Sequence, residues 1–100
     1  MAAFKVPAQD GTYNRVLKTG KFHDIMVKGD GTMTGGTLTV KCQPFGAADD
    51  LYNDIPNGVI DLSAPEQIQF QGSVQAYQFI VENFAGNATE LTITDFVGWV

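Results

Sequence analysis

A chain of 100 residues with 44% hydrophobic and 17% charged side chains has the make-up of one globular domain, long enough to bury a core of its own. Its formal net charge of −5 argues against direct nucleic-acid binding, which draws on a basic footprint to displace counterions from phosphates. The single cysteine, Cys42, excludes an intrachain disulfide, and no apolar run nears the ~20 residues that span a bilayer.

Residues 1–12, "MAAFKVPAQDGT", combine Pro7, Asp10 and Gly11 without clean alternation. They are expected to form an extended N-terminal arm or a loosely attached strand, able either to add a strand to a neighbour's sheet edge or to fray. The apolar stretch of a signal peptide is not seen there, so the expected compartment is the reducing cytoplasm. Residues 13–100 are expected to make one domain. It begins with the strand-like "YNRVLKT" before Gly20. In "FHDIMVK" (22–28), Ile25 and Val27 share a face. His23 is read as lying opposite that face, outward or at an interface.

"GDGTMTGG" (29–36) holds four glycines in eight residues. A phosphate-binding loop would lead into a helix and carry a Gly-Lys-Thr or Gly-Lys-Ser. Here a strand pattern follows. A calcium loop needs several alternating oxygens, and only Asp30 is present. The segment is read as a long hairpin connection. "TLTVKCQ" (37–43) sets Leu38, Val40 and Cys42 against Thr37, Thr39 and Lys41, which makes Cys42 an inert buried thiol and not half of a nucleophilic pair with His23.

"AADDLYNDI" (47–55), ended by Pro56, is the best helical candidate, one or two turns long. Such a turn would bring Asp50, Asn53 and Asp54 to one side. With Asp49 they are the chain's candidate for a hard cation, although a solvated acidic loop is the preferred reading. Asn57-Gly58 suits a tight turn. "VIDL" and "IQFQG" read as short strands. "VQAYQFIVENF" (74–84) is apolar on both faces, with Tyr77, Phe79 and Val81 against Ala76, Ile80 and Phe84, and so is expected to be a central or interface strand. Ala85-Gly86-Asn87 separates it from "ELTITDFV" (90–97). The sequon Asn87-Ala88-Thr89 is read as a turn. Asp95 falls in the inward register of Leu91 and Ile93, and Phe96 in the outward one, which predicts a bulge or strand end there.

Together these elements predict an all-β fold: a single compact, jelly-roll-like β-sandwich or small barrel of about 6–8 antiparallel strands. Ser63 and Ser73 lie outside any nucleophile elbow, and neither a catalytic role nor a cofactor is expected. Aromatic residues number eleven by type (seven Phe, three Tyr, one Trp), more than a small core easily holds. The surplus is expected to cover a partner, with Tyr52, Phe84, Phe96 and Trp99 chosen by facing or terminal position. Phe4, Val6, Tyr13 and Met33 complete the expected interface. All six basic residues (Lys5, Arg15, Lys18, Lys21, Lys28 and Lys41) precede Cys42, an asymmetry suited to head-to-tail docking or to a charged surface.

From residue 20 to residue 97 the order of segments resembles small virion proteins of tailed bacteriophages. The shared plan is a strand, a Gly/Thr-rich connection, a "TLTV"-like strand, an irregular loop, an "I-x-L"-like segment and two closing strands matching "AYQFIVENFAG" and "ELTITDFV". The resemblance implies a β-sandwich that decorates or cements a capsid, or sits in the neck or tail. It implies no catalytic residues. The partners it implies are the major capsid protein or other virion proteins and further copies of the chain, trimers included, and the location it implies is the virion after assembly in the host cytoplasm. On this reading the arm and the 31–36 and 47–57 segments touch the shell or sister subunits. The alternative from another class is a carbohydrate- or host-surface-binding module built on exposed aromatic side chains.

Overall fold

The computed structural model describes residues 2–16, 22–48 and 50–97. Within them the chain forms β1 (Ala2–Pro7), β2 (Gly11–Val16), β3 (Phe22–Gly29), β4 (Met33–Pro44), β5 (Asn53–Asp61), β6 (Ile68–Gln71), β7 (Val74–Gly86) and β8 (Glu90–Asp95). The period-2 pattern explains which face of each strand turns inward. In β3, His23, Ile25 and Val27 are buried while Phe22, Met26 and Lys28 are exposed. In β8, Leu91, Ile93 and Asp95 are buried.

The strands form two four-stranded sheets, ordered β1-β8-β3-β6 and β2-β7-β4-β5. The antiparallel pairs β1·β8, β2·β7, β3·β6 and β4·β5 describe one long hairpin with β4–β5 at its tip. Folded over, that hairpin places alternate pairs in opposite sheets, and β3·β8 and β4·β7 complete them. This is a jelly roll. Its core draws on Phe4 and Val6 of β1, Ile25 and Val27 of β3, Leu38 and Val40 of β4, Tyr77, Phe79 and Val81 of β7, and Leu91 and Ile93 of β8. The Phe4 ring meets Tyr77 edge-on at 5.8 Å and Phe79 at 5.7 Å, and Tyr77 stacks on Phe79 at 5.6 Å. Each such pair adds about 0.5–1.5 kcal/mol beyond the area it buries.

Four expectations are corrected. Residues 2–7 are not an extended arm but strand β1 of the chain's own sheet, and the expected boundary at residue 12 falls inside β2. Phe4 and Val6 alternate with Ala3, Lys5 and Pro7 and so reach the core. Pro7 obscured the pattern, but an edge strand tolerates a residue without an amide donor. The 29–36 segment is no hairpin, because β3 and β4 lie in different sheets; Asp30–Thr32 cross between them. Alternation reveals which side chains point inward, not which strand lies alongside.

Among the described residues of the 47–55 segment there is no helix: the Ala47 amide donates to the Pro44 carbonyl, the Leu51 amide to that of Ala48, and β5 starts at Asn53. Asn57-Gly58 is not a turn between strands but part of a bulge within β5, where pairing with β4 jumps from Thr39↔Val59 to Lys41↔Asp54. Asn57 takes φ 57° there. A side chain on Gly58 would meet the Ile55 and Val40 carbonyl oxygens at 2.7 and 2.8 Å, so the close backbone approach requires glycine.

Candidate functional site

A buried polar constellation of His23, Tyr77 and Asp95 joins three strands. His23 Nδ1 of β3 lies 2.8 Å from Asp95 Oδ2 at the end of β8, and Nε2 lies 2.9 Å from the Gly72 carbonyl oxygen in the β6–β7 turn. Tyr77 of β7, reaching across from the opposite sheet, donates its hydroxyl to Asp95 Oδ2 at 2.6 Å and sits 3.1 Å from His23 Nδ1. Phe70 stacks on the ring at 4.7 Å. Burial, then the hydrogen bond to Asp95 and its charge, push the Tyr77 phenol far above its ordinary value. Asp95 Oδ1 has no hydrogen-bond partner among the described residues.

The side chains of His23 and Asp95 are fully buried, so the network ties β3, β7 and β8 together inside the core. His23 therefore overturns the expectation of an outward residue: positions 23, 25 and 27 share one face, the buried one. Asp95 was legible as an inward carboxylate at a strand end, and β8 does end there with Phe96 exposed. Cys42, on β4, was expected to be a buried thiol; it is only partly buried, and that burial raises its thiol above the ordinary value.

At the opposite end of the sandwich, the glycine-rich crossover is clasped to the β7–β8 connection. Asp30 accepts hydrogen bonds from Thr89 N and Oγ1 and from Glu90 N, which holds its carboxyl below the usual range. Thr32 N and Oγ1 both donate to Asn87 Oδ1. Asn87, the sequon position, thus serves the turn. Gly86, at φ 138°, packs so tightly that a side chain would collide with the Thr32 carbonyl oxygen.

The residues expected at an interface are dispersed. Phe4 and Val6 are core residues, which removes them from any surface. Tyr13, Met33 and Phe84 are half-buried against the core. Tyr13 donates to the Gln9 carbonyl. Tyr52 is half-buried, Phe96 is 47% exposed, and Trp99 lies outside the described residues. Of the candidate cation ligands, Asp49 also lies outside them, and Asp50, Asn53 and Asp54 are exposed and share no helical side. Among the described residues no three His, Cys, Asp or Glu gather as a metal site. Asp54 instead pairs with Lys41 at 3.4 Å. A groove of about 930 Å³ runs along the β5–β6 seam past Asp54, Asp61 and Glu66, which makes that edge acidic. Lys5 and Arg15 lie on the β1–β2 edge, where Arg15 donates to the Lys5 carbonyl.

Sequence reasoning missed where exposed apolar surface collects. Val16 is paired with Ala76, Phe22 with Gln71 and Pro44 with Val74, so Val16, Phe22, Phe45 and Leu51 all emerge at the end of the sandwich where the β6–β7 turn lies. Phe96 joins them, its amide bonded to the Asp24 carbonyl. Among the described residues these are five of the seven large hydrophobics left exposed. The signal in the sequence was that each of them stands at or just beyond a strand end. No protein-family model matches the chain, and no curated protein matches it significantly in sequence.

Proposed function

We propose that this chain is a virion structural protein of a tailed bacteriophage, a decoration or cement protein that binds the major capsid shell and stabilises it. The observation that carries the reading is the apolar surface on the second sheet's side of the β6–β7 end: Val16 at 86%, Phe45 at 69% and Leu51 at 49% exposure. The loop bearing Phe45 is braced from beneath, with Gln75 Nε2 donating to Gln43 Oε1 and the Gly46 amide donating to Gln75 Oε1. A braced apolar loop loses little conformational entropy on docking. The resemblance to small virion proteins supports the same reading, and jelly rolls recur in capsid and lectin domains, although a fold alone does not assign a function.

Of the three contact elements expected on this reading, the 47–57 region offers exposed apolar side chains. Residues 31–36 face the clasp at the other end, and the arm is β1. The role proposed is binding, not catalysis. Native lysate of the producing cells is sedimented and the particle fraction analysed by mass spectrometry. Many copies per particle support shell decoration, a handful assign the chain to the neck or tail, and absence from particles overturns the virion reading. Phe45→Asp is expected to empty the particle fraction while leaving the melting temperature of the free protein unchanged.

A further inference from the structure

On the outer face of the first sheet, at the same end but away from Phe45, lies an open groove of about 470 Å³, within the size range of small-ligand sites. Its walls are two exposed aromatic rings, Phe22 at 38% and Phe96 at 47%. Between them stand Asp24 on β3 and, cross-strand on β6, Gln69 and Gln71, paired with Asp24 and Phe22 respectively. Gln67 donates through Nε2 to both Asp24 oxygens, at 2.6 and 2.7 Å, which fixes the plane of the carboxylate. Beneath, Phe70 stacks on the locked His23 ring, so the floor is rigid.

The donor set describes the occupant. A carboxylate and planar amides side by side offer acceptors and donors at once, which suits neighbouring hydroxyl groups that must do both. Flanking aromatic rings suit a ligand whose other surface is C–H. Among the described residues no Lys or Arg lines the groove, and the Asp24 carboxylate within it disfavours an anionic ligand. A saccharide has all three properties. We propose that this groove binds a neutral saccharide, with Phe22 and Phe96 against sugar ring faces and Asp24, Gln69 and Gln71 hydrogen-bonding its hydroxyls. This site is independent of the shell-docking loop and stands whether or not the chain belongs to a virion.

The test is a panel of immobilised neutral oligosaccharides spanning the common hexoses, pentoses and N-acetylhexosamines, with sialylated and sulfated counterparts. The strongest binder is then titrated into isotopically labelled full-length protein and followed by NMR. Saturable shifts confined to residues 22–24, 69–71 and 96 are expected. Asp24→Ala is expected to weaken binding at least tenfold, and Phe22→Ser with Phe96→Ser to abolish it. All three positions contact solvent, so their melting temperatures should stay near that of the unaltered chain. The proposal is overturned if no neutral saccharide binds, if binding persists in the doubly substituted protein, or if only the charged glycans bind. Concentration-dependent dimerisation lost on the Phe22→Ser and Phe96→Ser change would assign the surface to a second copy and overturn it equally.

Discussion

His23 and Asp95 meet where no water reaches, and each single removal leaves the other as a buried polar group without its main partner. Breaking a buried pair from one side costs about 3–5 kcal/mol, whereas replacing both members with apolar groups of similar volume returns much of that. Urea melts of His23→Phe, Asp95→Leu and the double variant are expected to show two large single losses and a double loss well below their sum. Additive losses would show that the pair is not coupled. His23 was hidden in the sequence for a chemical reason: its position has the parity of Ile25 and Val27, but its polarity suggested solvent. Asp95 was visible because the apolar register around it was unbroken. Cys42 carries a second expectation at this scale. With burial raising its thiol, a maleimide or disulfide reagent should label the folded chain far more slowly than the urea-unfolded chain at neutral pH. Equal rates would place the sulfur in solvent.

The connections define what the elements can tolerate. Gly86→Ala would force φ 138° on a residue with a side chain and drive that side chain into the Thr32 carbonyl, a cost on the order of 1–3 kcal/mol readable in thermal melts. Asp30 sets an acid limit on the same clasp. Its folded carboxyl titrates below the ordinary value of 3.8 because Thr89 and Glu90 donate to it. Its contribution is therefore complete above about 3.8, and is lost as pH falls below that value through the folded titration. Asp30→Asn should accordingly melt with a shallower dependence on pH in that acidic window and show little change in slope above it. The strands themselves were largely legible, β7 and β8 above all, since alternation with an unbroken apolar face leaves little choice. The crossings were not. A glycine-rich segment between two alternating runs looks alike whether the chain turns back in one sheet or passes to the other, and the β5 bulge used an Asn-Gly pair that equally suits a hairpin.

As a whole molecule, the jelly roll depends on its first strand. Removing residues 2–7 strips Phe4 and Val6 from the core and leaves β8 unpaired on one side. The truncated chain is expected to lose cooperative unfolding or to melt much lower by circular dichroism. A truncated chain with unchanged stability would instead describe an exchangeable arm. The four sheet edges are guarded unequally. Arg15 covers a carbonyl of β1, the bulge with Pro56 interrupts β5, and β6 is four residues long; β2 has neither proline nor bulge, only its six-residue length. The candidate surfaces were the least legible feature of all, because they arise where strand ends from distant parts of the sequence converge.

The pairing of Ala2 with Asp95 has a mechanical meaning. Antiparallel hydrogen bonds run perpendicular to their strands, and the two outermost paired residues of the described chain lie side by side at one end of that pair. A tensile force applied at Ala2 and Asp95 would open β1·β8 like a zipper, loading one bond at a time rather than all together. Force entering across the sheets, from opposite lateral edges, would load many bonds in parallel and meet far greater resistance. A sandwich built this way resists load spread across its surface and yields when it is pulled at these two residues.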